Sequence, residues 1–237
     1  YNRDIEIFPV LRAIFERIYG ECPYKSPTDM GVNMAGLSIV DDEACREASK
    51  QEIIRRYFKT ACLVRQGLSS EEELQKIELL MRTLNLEPEN RGVVSDRTGE
   101  PAAAIELPDG RIVTGRTTAL FGASSAAMLN ALKTLAGIDD AINLISPTVI
   151  GPIQTLKTDY MQSRNPRLHT DEMLVALAIS AATDANAMKA MQQLDALNGC
   201  DAHSTVILSN VDDSVFKRLG VNVTCEPTYE NNNLYHK

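Results

Sequence analysis

The sequence predicts an α/β protein whose mostly parallel sheet is flanked by helices and is preceded by a helical N-terminal portion. Residues 1–92 carry apolar side chains at helical spacing, whereas residues 93–237 alternate short strand-like runs with helical segments. Such alternation is typical of a parallel sheet. Residues 87–101 are rich in proline, glycine and charge, and we place the boundary between domains 1–92 and 93–237 within them.

Three helices are predicted in the N-terminal portion. In the first, apolar side chains recur on one face: Ile5, Phe8, Leu11, Phe15 and Ile18. After a loop at residues 30–39, Asp41 and Asp42 begin a long helix that Gly67 ends. Ser69 or Ser70 caps the next helix, because acidic residues follow in its first turn.

The α/β portion begins with a predicted hairpin. Residues 102–107 and 111–117 are strand-like and are joined by Pro108-Asp109-Gly110, a turn sequence. Further strands are expected at 142–145, 203–208 and 221–224, and helices at 124–136, 146–161, 171–183, 186–197 and 212–219. The helix at 171–183 has almost no polar face and is expected to be buried.

The composition excludes several classes of function. A net charge of −8 and a pI near 5.0 argue against nucleic-acid binding and against attraction to an anionic membrane surface. No apolar run approaches the roughly 18 residues of a membrane span, and the first residues do not resemble a signal peptide. The 5 cysteines form no CxxC pair, which favours a reducing cytoplasm.

The most suggestive segment runs from Thr117 to Ser125 and leads from a strand through a glycine turn into a helix. Unpaired amides and the helix dipole make such a start receptive to an anion. Thr118, Gly122, Ser124 and Ser125 are therefore candidate ligand-binding residues. No phosphate-loop motif is present. The alternative is that Ser124 only caps the helix.

Other helix starts repeat this theme. Ser146, Thr148 and Thr170 are hydroxyl-bearing residues at the starts of later helices, and Arg167 could supply charge together with Lys157 and Arg164. In an open parallel sheet, ligands bind beyond the carboxyl ends of the strands. If these starts share one sheet edge, their hydroxyls converge on one ligand.

Two histidines are candidate catalytic residues. His169, next to Asp171 and Glu172, is suited to proton transfer or metal binding, with a structural role at a helix boundary as the alternative. His203 follows Cys200 and Asp201 and could form a Cys/His pair or a zinc site with Cys225 and Glu226. No spacing matches a known ligand set, so no metal site is predicted, and the sequence leaves any cofactor unknown.

Several segments resemble a bacterial family known as domain of unknown function 1846, or uncharacterised protein family 0371. They are residues 118–132 (TALFGASSAAMLNAL), 165–182 (NPRLHTDEMLVALAISAA), 203–209 (HSTVILS), 219–227 (LGVNVTCEP), 1–17 and 51–58 (QEIIRRYF). The resemblance covers essentially the whole chain and assigns no role to any residue. It implies the C-terminal half of a longer protein, in agreement with the absence of an initial Met, and hence a missing N-terminal half as a partner.

Three functional hypotheses follow. The first is binding or turnover of a small anionic or phosphorylated ligand at the helix starts, with His169 and His203 handling protons. The second is a non-enzymatic assembly domain, in which the N-terminal helices dock to another subunit or to the missing half. The third is a metal-dependent hydrolase that uses His169, Asp171, Glu172, His203 or Cys200.

Overall fold

The computed structural model describes residues 10, 13–20, 24–25, 36–37, 42–90 and 102–230. The chain divides into two compact units, residues 1–91 and 92–237. Within the described ranges, no helix is both long enough and apolar enough to cross a membrane.

The first unit is built mainly from two helices, α1 (Asp42–Arg65) and α2 (Glu71–Thr83), followed by a 3-10 turn at Pro88–Asn90. Ile53, Ile54 and Phe58 form the buried stripe of α1. Ser70, one of the two predicted caps, accepts a hydrogen bond from the Glu73 amide at 3.4 Å.

The remaining described parts of the first unit are short. Strands β1 (Tyr24–Lys25) and β2 (Gly36–Leu37) pair antiparallel, although β2 falls in a stretch expected to be a loop. Residues 13–19 are helical, and Ile18 is 64% exposed. Ile5, Phe8 and Leu11, which were expected on the same face, lie outside the described residues.

The second unit begins with the predicted hairpin, which is confirmed. Strands β3 (Ala102–Glu106) and β4 (Ile112–Arg116) pair antiparallel, with Ala104 opposite Thr114. Gly110 has a φ of +82°, a conformation that explains the glycine in this turn.

The sheet is mixed, with strand order β4-β3-β5-β6, so the expectation of a mostly parallel sheet is wrong. Strand β5 (Asp201–Ser204) runs antiparallel to β3, and only β6 (Asn222–Cys225) is parallel to its neighbour β5. The expected strand at 142–145 does not form. Leu144 and Ile145 are buried but pair with no described strand. The apolar run at 142–145 therefore predicted burial correctly and backbone structure wrongly.

The helices of the second unit are α3 (Ala123–Leu135), α4 (Pro147–Thr155), α5 (Thr170–Ala181), α6 (Ala185–Met191) and α7 (Asn210–Arg218), with a π turn at Leu156–Tyr160 and a 3-10 turn at Leu194–Leu197. Helix α3 packs on β3 and β4, and α7 packs on β6 and α5. Their apolar faces form one core that includes Met128, Leu168 and Leu177. Helix α5 is less buried than expected, since Ile179 is 53% exposed.

Candidate functional site

A single parallel bridge between Phe121 and Leu168 brings the start of α3 beside the start of α5. The Leu168 carbonyl accepts a hydrogen bond from the Gly122 amide at 3.2 Å and another from the Ser125 hydroxyl at 2.9 Å. Since His169 follows Leu168 directly, the first turn of α3 and His169 are held side by side.

The first turn of α3 carries unused hydrogen-bonding groups. Its cap is Gly122, which has no side chain to bind the first amides, so Ser124 is not the cap. Within the part of the chain that the structure describes, the amides of Ala123, Ser124 and Ser125 have no acceptor, and the Ser124 hydroxyl has no partner. Ser124 is nevertheless only 6% exposed. Without a partner among the described residues, the Ser124 hydroxyl is available to bind water or a ligand.

Ser124 faces a small cavity of about 30 Å³ that Gly122, Arg167 and His169 also line. Such a cavity holds one or two water-sized groups. The Thr117 hydroxyl, at the same cavity, is buried and has no hydrogen-bond partner among the described residues. Two residues with unpaired hydroxyls, Thr117 and Ser124, and the first residues of α3, Ala123 and Ser124, therefore line a space that fits a small polar group.

His169 is oriented by Asp212, which also lines the cavity. The His169 Nδ1 atom lies 3.1 Å from Asp212 Oδ2. Asp212 is itself held by the Thr170 amide at 2.8 Å, the Thr170 hydroxyl at 2.9 Å and the Ser209 hydroxyl at 2.7 Å. With Nδ1 fixed on a carboxylate, the Nε2 atom remains for a ligand, and it has no partner among the described residues.

The contact between His169 and Asp212 raises the pKa of the histidine and lowers that of the aspartate, so it favours the charged form of each. The hydrogen bond to Asp212 raises the pKa of His169, although burial acts in the opposite direction. Burial alone would raise the pKa of Asp212, but the hydrogen bonds from His169, Thr170 and Ser209 lower it overall. An imidazole with a raised pKa is suited to exchange a proton near neutral pH.

We predict that the stability contributed by His169 falls as the pH rises. Its folded pKa lies above its ordinary value of about 6.5, so the contribution is fully present below pH 6.5 and is lost as the pH rises through the folded pKa. The difference in free energy of unfolding between the wild type and His169→Asn should therefore shrink from pH 5.5 to pH 8.5, as measured by urea unfolding. A difference that grows with pH would contradict this assignment.

Two ion pairs border the site. Lys157, buried in the π turn, donates to the Arg167 carbonyl at 2.5 Å and to Glu172 at 2.6 Å. Glu172 also accepts the His169 amide at 2.8 Å, which helps to fix the start of α5. Arg167 is paired with Glu230 at 2.9 Å, and both line the cavity. Lys157 and Arg167, whose charges were predicted to bind a ligand, are thus paired with acidic residues of the protein itself.

The structure brings together Gly122, Ser124, Arg167 and His169 from the predicted set, and the others do not line the cavity. Ser125 and Thr170 use their hydroxyls on Leu168 and Asp212, and the Thr118 hydroxyl accepts from the Leu120 and Phe121 amides. Ser146 caps α4 and bonds Thr148, and Arg164 is exposed. The hydroxyls of the later helix starts are therefore engaged in hydrogen bonds within the protein.

His203 lies away from this cavity, on β5, where it pairs with Thr224 of β6. Its Nδ1 atom lies 2.9 Å from the Thr224 hydroxyl, and its Nε2 atom lies 3.4 Å from Glu226. Burial raises the pKa of the neighbouring Cys200 thiol, which disfavours the reactive thiolate. Across the described ranges, no group of three or more His, Cys, Asp or Glu side chains could hold a metal ion.

Five polar residues of the cavity lining were not predicted as site residues: Thr117, Asn165, Ser209, Asp212 and Glu230. Ser209 and Asp212 have the S-x-x-D spacing of a helix start, and the Ser209 hydroxyl does accept the Asp212 amide at 3.1 Å. This S-x-x-D pattern predicts only that Ser209 caps the start of a helix. It carries no information on the contact with His169, which is 43 residues away in sequence.

The fold and the site define an α/β protein with a small polar pocket at a helix N-terminus. The family model described as domain of unknown function DUF1846, C-terminal, matches residues 89–235, and the N-terminal model of the same family matches residues 1–85. The chain belongs to the DUF1846 family.

Similar proteins include a UPF0371 protein of Streptococcus thermophilus, 55% identical, and UPF0371 protein DIP2346 of Corynebacterium diphtheriae, also 55% identical. Both matches cover 100% of this chain and 49% of the relative, so the chain spans about half the length of these curated relatives. Because the N-terminal family model also matches the chain, the expectation of a C-terminal half alone, with a missing N-terminal half as its partner, is not supported.

Proposed function

We propose that this cavity binds one small anionic group, a carboxylate or a phosphate, of a small-molecule ligand, and that His169 exchanges a proton with it. The observation that carries the proposal is Ser124 at the start of α3, a residue that is 6% exposed and whose hydroxyl has no partner among the described residues. His169 lines the same cavity.

Electrostatics favour an anion at this position. The unpaired amides at the start of α3 carry the positive end of the helix dipole, and no acidic residue in its first turn offsets it. His169 adds a positive charge whenever it is protonated, and the raised pKa extends this state towards neutral pH. Arg167 would add a second charge if an incoming anion displaced Glu230.

Binding would be tested by thermal unfolding of the full chain with 10 mM sodium phosphate, sulfate or acetate, at constant ionic strength. For a dissociation constant of about 1 mM, the ligand stabilises the protein by about 1.4 kcal/mol, which corresponds to a rise in Tm of roughly 3–6 °C. Ser124→Asp places a carboxylate at the site and should abolish the rise, and His169→Asn should reduce it.

The matched control is Ser146→Asp, at the start of α4, a helix start that does not line the cavity. This variant should keep the full response to the anion. The proposal fails if no anion raises the Tm of the wild type, or if Ser124→Asp and His169→Asn respond as the wild type does.

The two alternative hypotheses receive less support. The metal-dependent hydrolase lacks a cluster of ligands within the described ranges. The assembly domain stays a prediction, with the exposed Ile14 and Ile18 in its favour, and the helical face from which it was derived is only partly described.

A further inference from the structure

We propose that Ser124 is a nucleophile activated by His169, and that the pocket hydrolyses a small carboxylic ester. This inference rests on the proposed function, because the anion site at the start of α3 becomes the place where the negative charge of the reaction develops. It adds a covalent step and a substrate class to that function.

Ser124 and His169 belong to two segments that run side by side. The Phe121–Leu168 bridge and the two hydrogen bonds from Gly122 and Ser125 to the Leu168 carbonyl fix their relative position. Both residues line one cavity of about 30 Å³. The neighbouring Ser125 hydroxyl is already engaged, whereas that of Ser124 is unengaged within the described part of the chain.

Asp212 places His169 in the required tautomer. Since Asp212 Oδ2 lies 3.1 Å from Nδ1, the proton of the neutral ring resides on Nδ1, and the lone pair on Nε2 can accept a proton. The bonds from Thr170 and Ser209 keep the Asp212 carboxylate in place. A serine, a histidine and an aspartate of this arrangement can act as a nucleophile, a base and an orienting group.

Donors for the developing charge are also present. Ala123 and Ser124, whose amides are free, and Thr117, whose hydroxyl is buried, line the cavity, where these donors could bind a carbonyl oxygen as it becomes an oxyanion. The charged side chains of the lining are His169 and Arg167, balanced by Asp212 and Glu230. This balance suits one developing negative charge.

The reaction balances without a cofactor. The Ser124 oxygen attacks the ester carbonyl carbon, its proton moves to His169 Nε2, and the carbonyl electron pair forms the oxyanion. When the oxyanion collapses, the alkoxide leaves and takes the proton from Nε2, so that an acyl-Ser124 ester remains. Water then attacks this ester by the same proton route, which releases a carboxylic acid and restores the serine hydroxyl.

The test is labelling of the full chain with a fluorophosphonate probe, followed by mass spectrometry. The Ser124 oxygen would displace fluoride from phosphorus, and the wild type should gain one phosphonyl group on Ser124. Ser124→Ala should gain none, and His169→Asn should react at least about a hundredfold more slowly. Ser180→Ala, which removes another buried helical serine outside the cavity, should label as the wild type does.

A thermal shift with phosphate on the same samples separates the two proposals. If phosphate stabilises the wild type but no label forms, or if the label persists in Ser124→Ala, the nucleophile is wrong and the anion site stands. If neither stabilisation nor labelling occurs, both proposals fail. Stabilisation together with labelling confined to Ser124 supports both.

Discussion

Replacing Asp212 with alanine is expected to lower the free energy of unfolding by about 3 kcal/mol, because the change removes a buried acceptor that several groups share. The Thr170 amide and hydroxyl both donate to Oδ1, while the Ser209 hydroxyl and His169 lie at Oδ2. Thr170 is fully buried, so water cannot readily replace the lost acceptor. Urea unfolding at pH 7 measures the loss.

The neighbouring Asp213 provides the control. It lies one position further along the same helix and pairs with Lys217 on the surface. Asp213→Ala should therefore cost less than about 1 kcal/mol. Equal losses in the two variants would show that Asp212 is no more than a helix-start carboxylate.

Replacing Gly115 with alanine is expected to cost about 3 kcal/mol or more, because β4 and α3 approach each other too closely for a side chain. A Cβ atom at Gly115 would lie 2.0 Å from the Ala127 amide nitrogen and 2.5 Å from the Ala127 Cα atom. Both atoms belong to the helix backbone, so the whole of α3 would have to shift, and such overpacking is costly.

This shift would also move the start of α3 and its free amides. We therefore expect Gly115→Ala to lose the phosphate-induced rise in Tm as well as stability in urea. The adjacent exposed Thr114→Ala, on the same edge strand, should change the free energy of unfolding by less than about 1 kcal/mol. A Gly115→Ala protein as stable as the wild type would refute the close packing of this helix on the sheet.

The sequence was sufficient for elements that short-range chemistry determines. The Pro108-Asp109-Gly110 turn predicted the β3–β4 hairpin, and Ser69 or Ser70 before three glutamates predicted the start of α2, where Ser70 is the cap. Strand pairing depends on partners that are distant in sequence. The pattern around Leu144 and Ile145 recorded burial correctly, but burial does not distinguish a strand from a packed loop.

The same limit applies to the site. Free amides at a helix start can be expected from Gly122 and the residues after it, and His169 was recognisable as a candidate for proton transfer. The contact between His169 and Asp212 spans 43 residues, so no local pattern contains it. Conversely, Ser146 and Thr148 shared the hydroxyl-rich pattern but bond each other.

The central claim is that the first turn of α3 and the His169–Asp212 pair bind one anion together. A two-dimensional NMR titration of the isotopically labelled chain with sodium phosphate tests this most directly. We predict that the amide signals of Ser124 and Ser125 and the ring nitrogen signals of His169 shift and saturate with one dissociation constant. Signals that stay unchanged at saturating phosphate, or that shift without saturating, would contradict a shared anion site.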